Sequence, residues 1–237
     1  MIRACDGNMQ NLMKRFIAHR RALQANLPSG TARRHRGNIA AGLKVEKIYS
    51  MPVLYSGLAS LVLTSQEINH LDQHYINTLR NLLKSHPGTP QAFVYFMTGS
   101  LPGKAILHLR QLSLFSMITH LPMNPLFKRA KTVLTSHQPS SKSWFNQIGG
   151  ICLMYCLPHP LNLLEQPLTK DAFKKLVKSH VTDYWERKLR LEAAPLPSLL
   201  YFHPEYHSLA APHPILWTPW SNPHEVAKAV VQCRVEC

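Results

Sequence analysis

Apolar residues recur every three or four positions along several stretches of this chain, which is the spacing of one face of an α-helix. The clearest stretch begins at TSQE, Thr64–Glu67, a capping-box pattern in which the Thr hydroxyl and the Glu carboxylate bond free amides at a helix start. Its apolar positions are Ile68, Leu71, Tyr75, Leu79, Leu82 and Leu83. We expect this helix to end at HPGTP, residues 86–90, because proline and glycine disfavour its continuation.

The stretch GSLPGKAILHLRQLSLFSMI, Gly99–Ile118, predicts a tight turn followed by a helix. Its apolar stripe consists of Ile106, Leu109, Leu112 and Ile118. The residues that lie outside this stripe include Lys104, His108 and Arg110. The pattern therefore predicts a helix with one face in the core and one cationic face available to phosphate.

Three further helices complete the predicted fold. An N-terminal helix carries on one face Met9, Leu12, Met13, Phe16 and Leu23. A long helix is expected over residues 170–194, and another begins at NPHE, residues 222–225, where Asn caps and Pro occupies the first position. Pro52 breaks or kinks whatever helix forms in the apolar stretch 43–63. Strand-like alternation is scarce, so the predicted fold class is mainly α, a helical bundle followed by a partly irregular helical segment.

Proline content predicts how the chain is organised. Thirteen of the 18 prolines follow residue 120, and helical patches there alternate with breaks such as LPMNP and LPHPL. We therefore expect a helical region over residues 1–120, with a loop at 28–42, and a C-terminal extension over 121–237. Within the extension, residues 195–221 are rich in Pro and His and are expected to be irregular.

The charge balance points to an anionic partner. The chain has 27 Lys and Arg against 12 Asp and Glu, a net charge of +15. Residues 1–48 contain ten of these cations against Asp6 and Glu46, and residues 101–148 contain six with no acid. Such a localised excess favours RNA or DNA bound through the phosphate backbone, although ordinary solvated surface remains the alternative. The candidate contacts are Arg33, Arg34, Arg36, Lys104, Arg110, Lys128, Arg129 and Lys131.

Catalytic motifs are missing from the sequence. Nucleotidyl transfer needs clustered carboxylates that bind two divalent ions, and no two of the four aspartates are adjacent. The sequence has no glycine loop for phosphate, no GxSxG and no HExxH. Catalysis by this chain alone is therefore not expected, and no cofactor is predicted.

Cysteine use and hydropathy indicate the compartment. Five cysteines, an odd number, argue against a disulfide framework and for the cytoplasm or nucleus. Cys152, Cys156 and His159 are weak candidates for metal ligands, but their apolar surroundings favour buried thiols. No stretch reaches the ~18 apolar residues of a membrane helix, so no membrane partner is expected.

Two long motifs resemble the region after the polymerase palm in non-LTR (LINE-type) retrotransposon reverse transcriptases of animals. They are KIYSMPVLYSGLASLVLTSQEINHLDQHY, residues 47–75, and TPQAFVYFMTGSLPGKAILHLRQLSLF, residues 89–115. The positions shared with that family are Pro52, Tyr55, Gly57, Thr89, Pro90, Gly99, Leu101, Pro102, Ala105, His108 and Arg110. Later segments such as SWFNQI, YCLPHPL and DYWERKLRLEA extend the likeness over nearly the whole chain. The chain departs from the family at Ala59, where an acid is common, and in the order around Tyr55 and Gly57.

The resemblance implies a helical thumb and C-terminal extension that grip the template and primer duplex. The palm, with its paired aspartates, is not in this chain, so a palm-containing polypeptide is an implied partner. We therefore expect a non-catalytic nucleic-acid-binding fragment of an RNA-directed DNA polymerase. Two alternatives stay open: a helical interaction or self-association module that uses the apolar faces of residues 41–63 and 104–118, and a decayed copy without function.

Overall fold

The computed structural model describes residues 4–27, 39–121, 132, 143–199 and 208–217. All regular secondary structure in these residues is helical, which confirms a mainly α fold. The α-helices are α1 Ala4–Asn26, α2 Ile39–Val45, α3 Met51–Tyr55, α4 Ser65–Leu83, α5 Gln91–Thr98, α6 Gly103–Thr119, α7 Trp144–Met154, α8 Pro160–Glu165 and α9 Lys170–Ala193. A π-helical turn, Glu46–Ser50, joins α2 to α3, and short 3₁₀ turns lie at Leu58–Ser60, Pro197–Leu199 and Pro214–Trp217.

Two helices closely match their predicted bounds. Helix α4 begins directly after Thr64 and ends before Lys84, whose positive φ of 54° terminates the helical path. Helix α9 covers residues 170–193, where the pattern predicts 170–194. The helix predicted from residue 222 lies outside the described residues.

The described residues form two compact units, each built from separated parts of the chain. The first unit comprises the described residues within Met1–Ser56, Ser65–Gly103 and Trp185–Cys237, and the second comprises those within Gly57–Thr64 and Lys104–Tyr184. Neither unit begins or ends at residue 120. The domain division that the proline content predicts there stays a prediction. None of the described helices is long and apolar enough to cross a membrane.

The core of the first unit is formed by α1, α4 and α5. Helix α1 buries Leu12 and Phe16, and α4 buries Leu71 and Leu79 along its inner face. Helix α5 is buried along most of its length and ends at Gly99, whose φ is +57°. A Cβ atom at Gly99 would overlap the backbone of Ala211 and Pro212, so only glycine fits this approach.

The second unit is centred on α6, and here the amphipathic prediction is wrong. Four consecutive residues near its start, Ala105–His108, are all buried, and so are Gln111, Leu112 and Phe115. Lys104 and Arg110 are half-buried, and the exposed residues of α6 are Ser113 and Met117. The helix therefore packs around most of its circumference and has no separate cationic face.

Pro52 disturbs the helix as predicted, and the form of the disturbance is a π-helical turn. Pro52 has no amide proton and crowds the preceding turn, so the regular α-helical ladder cannot run through it. The five residues Glu46–Ser50 adopt π-helical geometry, and α3 then begins with Pro52 in its first turn. Short π-helical segments of this kind recur at functional sites.

Candidate nucleic-acid interface

Only two of the eight predicted phosphate contacts belong to the described residues. Lys104 and Arg110 both lie on α6 of the second unit and are half-buried. They are six positions apart in the sequence, which places them about 120° apart around a helix of 3.6 residues per turn. Helix geometry thus gives them different faces of α6. The other six candidates lie outside the described residues: Arg33, Arg34, Arg36, Lys128, Arg129 and Lys131.

The first unit has a group of exposed cations on helices for which the sequence predicts no phosphate contact. Helix α1 exposes Lys14, Arg20 and Arg21, while α2 and the π-helical turn expose Lys44 and Lys47. We call these five residues the cationic face of the first unit; the name denotes the group, because Lys14 and Arg20, six positions apart, lie on different sides of α1. Arg15 belongs to the same helix, but its guanidinium donates hydrogen bonds to Asn11 Oδ1 and to the carbonyl of Ser56 and so braces α1 against the end of α3.

Residues 8–56 contain a single acid, Glu46, and its carboxylate points into the core. Glu46 is only 1% exposed. Its Oε1 accepts a hydrogen bond from His19 Nε2 at 2.9 Å, and His19 itself is fully buried. The one acidic side chain of this segment is therefore enclosed, and the exposed charged residues among the described residues 8–27 and 39–56 are all cations.

A second histidine extends this buried chain to α4. His74 Nε2 lies 3.1 Å from His19 Nδ1, and the His74 ring stacks on Phe16 with centroids 4.1 Å apart and planes 9° from parallel. An ionised carboxylate only accepts hydrogen bonds, so His19 carries its proton on Nε2 when neutral, and its Nδ1 then accepts from His74. The relay Glu46–His19–His74 joins the π-helical turn, α1 and α4.

The surroundings of His74 keep its ring neutral at physiological pH. Burial, the nearby His19 and then Arg20 lower the pKa of His74 to about 4. Surroundings with little water disfavour the charged ring, and nearby positive charge opposes its protonation further, which is the physical reason for the lowered pKa. With His74 neutral at pH 7, the hydrogen-bonded chain Glu46–His19–His74 acts as a structural clamp between the π-helical turn, α1 and α4.

A second group of cations lies on α9, in the second unit. Lys170, Lys174, Lys175 and Lys178 are all exposed, and the buried side of the same turns carries Phe173 and Val177. We call the four lysines the lysine face. The net charge of residues 149–237 is nearly balanced, so a count of charges does not reveal the lysine face. The spacing of Lys170, Lys174 and Lys178, four residues apart on one side of a helix, is the sequence signal that reveals it.

Lysines at the start of a helix conflict with the helix dipole. Thr169 caps α9, with its Oγ1 accepting from the amide of Ala172 at 3.3 Å, and Asp171 is the only acid of the first turn. The N-terminal end of a helix carries a partial positive charge, so cations there reduce its stability. Of the four lysines only Lys170 lies in the first turn, where this effect acts, and Asp171 in the same turn offsets it.

His108, one of the positions on which the resemblance depends, has a structural role. It is 3% exposed, and its Nδ1 lies 2.9 Å from the Tyr155 hydroxyl. Burial, followed by the charge of Lys104, lowers the pKa of His108 to about 3. His108 is therefore a neutral core residue, although the sequence pattern predicts it outside the apolar stripe of α6.

The candidate metal ligands are placed in three different local settings. Cys152 is buried in α7, and burial raises the pKa of its thiol to about 12, which confirms the prediction of a packed thiol there. Cys156 is exposed in the turn after α7, with a φ of +53°, so the prediction of a buried thiol is wrong for this residue. His159 caps α8, with its Nδ1 accepting from the Leu161 amide at 3.3 Å. Among the described residues, no group of three His, Cys, Asp or Glu side chains could hold a metal ion.

Comparison with known proteins adds no relative: no family model, curated protein or solved structure matches the chain. Charge, burial and geometry of the chain's own residues are then the basis for a functional proposal. Of these, the enclosure of Glu46 beneath exposed cations is the most informative feature.

Proposed function

We propose that this protein binds RNA or DNA through the phosphate backbone and catalyses no reaction by itself. The contacts are made by the cationic face of the first unit and by the lysine face of α9, together with the predicted Arg and Lys residues outside the described part. In the setting that the motifs resemble, this is the thumb and C-terminal grip of a non-LTR retrotransposon reverse transcriptase, acting beside a palm-containing polypeptide.

The observation that carries the proposal is the burial of Glu46 among exposed Lys and Arg. A surface kept only for solubility commonly mixes both signs of charge. Residues 8–27 and 39–56 instead expose five cations, and their single acid is paired with His19 inside the unit. A polyanion gains from such a surface, because each neutralised phosphate releases condensed counterions.

Two single substitutions that remove one positive charge each test the proposal. Arg21 is exposed on α1, whereas Lys188 already has a carboxylate neighbour, Glu192, at 3.9 Å. We expect Arg21→Gln to reduce the slope of log K against log salt by about 0.7 to 0.9, the contribution of one phosphate contact. Lys188→Gln is the matched control and leaves the slope unchanged.

Fluorescence anisotropy with labelled single-stranded and duplex oligonucleotides, across a salt series, gives these slopes. Little preference for sequence is expected, since phosphate contacts carry no sequence information. Affinity that does not change with salt, or equal slopes for Arg21→Gln and Lys188→Gln, would contradict the proposal.

A second candidate function, self-association, is favoured by apolar side chains exposed between residues 41 and 63. Ile48 and Tyr49 are each more than half exposed, and Val53 is 36% exposed. Stable contacts between copies would bury such side chains. Size-exclusion chromatography with light scattering, without nucleic acid, decides this point, because a monomer at all concentrations rules self-association out.

A further inference from the structure

An aromatic and apolar surface lies beside two lysines on the outer side of the π-helical turn. It consists of Lys44, Lys47, Ile48, Tyr49, Pro52 and Val53, which we call the Tyr49 platform. Ile48 is 60% exposed and Tyr49 53% exposed. In a monomeric protein, large apolar side chains grouped on one exposed surface are typical of binding sites.

The π-helical turn is what presents these side chains together. Glu46 and Ser50, at its two ends, are buried, while the three residues between them are exposed. Leu54 and Tyr55 then fix α3 in the core, and the Tyr55 hydroxyl donates to the carbonyl of Gly103 at 3.1 Å. The helical backbone that carries the platform is therefore fixed from beneath, so this backbone needs little ordering when a partner binds.

Charge decides what kind of partner fits. The platform contains two lysines, and Glu46, the only acid of residues 39–56, is directed inward to His19. A second copy would bring the same lysines against these ones in a chain of net charge +15, which opposes pairing through this face. An anionic partner that also offers flat apolar groups satisfies both features.

We propose that the Tyr49 platform binds single-stranded nucleic acid, with one base stacked on the Tyr49 ring and adjoining phosphates at Lys44 and Lys47. The proposal rests on the nucleic-acid binding proposed above and names the form of polynucleotide that this surface takes. Duplex bases already stack on one another and show only their edges in the grooves, so a tyrosine ring finds a free base face in a single strand. Ile48 and Val53 extend the apolar surface beside the ring.

The test compares single-stranded and duplex oligonucleotides on the full chain and on Tyr49 variants. With single-stranded oligo(dT) or oligo(U) of about 15 nucleotides, Tyr49→Ala is expected to weaken binding at least about five-fold, the low end for losing one stacked base. Tyr49→Phe retains the ring and is expected to bind like the natural chain. Duplex of the same length is expected to bind Tyr49→Ala and the natural chain alike.

A matched control removes an exposed apolar side chain elsewhere. Leu153 on α7 is 82% exposed, so Leu153→Ala reports any general effect of surface hydrophobicity and is expected to change nothing. Photocrosslinking of an oligonucleotide that contains 5-iodouridine, followed by peptide mass spectrometry, gives a direct readout. The expected crosslink maps to the peptide that contains Tyr49.

The outcomes separate this inference from the proposed function. If Tyr49→Ala binds single strands as well as the natural chain does, while binding stays salt-dependent, the platform inference is wrong and the proposed function stands. If the natural chain shows no salt-dependent binding of either form, both fail. If Tyr49→Ala abolishes dimers seen by light scattering and leaves nucleic-acid binding intact, the platform is a protein-docking surface and the inference is overturned.

Discussion

At the scale of single residues, Glu46, His19 and His74 set both the charge of the surface and the packing beneath it. A buried carboxylate is costly unless hydrogen bonds compensate it, and His19 supplies one at 2.9 Å. His74 in turn bonds His19 and stacks on Phe16, so the three side chains tie together α1, the π-helical turn and α4. Titration of His74 would act directly on this clamp.

The lowered pKa of His74 predicts that the first unit loses stability in mild acid. His74 is neutral in the folded chain down to a pKa of about 4, whereas the unfolded chain takes up the proton near its ordinary value of 6.5. The unfolded state therefore binds more protons between these values, so this contribution is present above pH 6.5 and is lost as pH falls toward 4. Linkage gives a loss of about 2 kcal/mol between pH 7 and pH 5.

Urea unfolding at pH 7 and pH 5 measures this loss. His74→Gln, which keeps hydrogen-bonding capacity but cannot take up the proton, is expected to show a smaller difference between the two pH values. Some dependence remains, because His108 in the second unit also has a lowered pKa and acts in the same direction. His70→Gln, an exposed position on the same helix, is the control. An unchanged pH difference in His74→Gln would refute this account.

At the scale of elements, α9 has two parts with different chemistry. Its first three turns carry the lysine face, and its later turns carry paired charges, such as Arg190 Nη2 to Glu186 Oε2 at 3.2 Å. Glu186 Oε1 also accepts from the amide of Leu209 at 2.9 Å, which ties α9 to the segment 208–217 within the first unit. The ion pairs that stabilise α9 thus lie in its later turns, whereas its first three turns carry the excess of exposed lysines.

This division predicts opposite effects of one substitution on stability and on binding. Lys170→Glu places an acid at the positive end of α9 and four residues before Lys174, so it is expected to stabilise the protein by about 0.5 to 1 kcal/mol. The same change is expected to weaken polynucleotide binding and to reduce its salt dependence. Thermal unfolding and anisotropy titration measure the two effects.

Lys178→Glu distinguishes the causes, because it reverses the same charge beyond the first turn, where the dipole has little influence. It is expected to weaken binding in the same way without a comparable gain in stability. If neither variant binds the polynucleotide more weakly than the natural chain does, the lysine face is ordinary solvated surface.

At the scale of the whole molecule, a net charge of +15 shapes both stability and association. Like charges repel in the compact state, and this repulsion is screened by salt. A bound polyanion reduces this repulsion more effectively than salt does, and it also stabilises the folded chain by mass action. Each unit contributes a face of exposed cations, α1 to the π-helical turn in the first and α9 in the second.

Salt is therefore expected to change the melting temperature in opposite directions with and without nucleic acid. For the chain alone, raising salt from low to moderate concentration raises Tm, because repulsion is screened. With an excess of oligonucleotide at low salt, Tm is higher from the start and falls as salt displaces the ligand. Differential scanning fluorimetry over a salt series measures Tm in both cases. If Tm changes with salt in the same direction with and without oligonucleotide, this argues against a polyanion partner.

Local pattern alone was enough to predict the mainly α class and the courses of α4 and α9. The capping sequence before residue 65 and the proline and glycine at 87 and 88 limit α4, and both signals act within a few residues. The thiol of Cys152 was predicted to be packed because its neighbours in ICLMYCL are apolar, and it is buried. Helix capping and hydrophobic periodicity are properties of adjacent residues, so a sequence carries them without knowledge of the fold.

Tertiary packing decided which polar groups are inside. His108 and Glu46 are indistinguishable from surface residues in the sequence, and each is buried beside a distant partner. The Tyr155 hydroxyl bonds His108, and His19 bonds one oxygen of the Glu46 carboxylate. The direction of the Glu46 carboxylate depends on the π-helical turn before Pro52, and the buried circumference of α6 depends on segments far away in the chain. Hydrogen bonds between residues tens of positions apart leave no periodic trace. The sequence shows the excess of cations in residues 1–48, whereas tertiary packing decides the inward direction of Glu46 and the exposure of the Tyr49 platform.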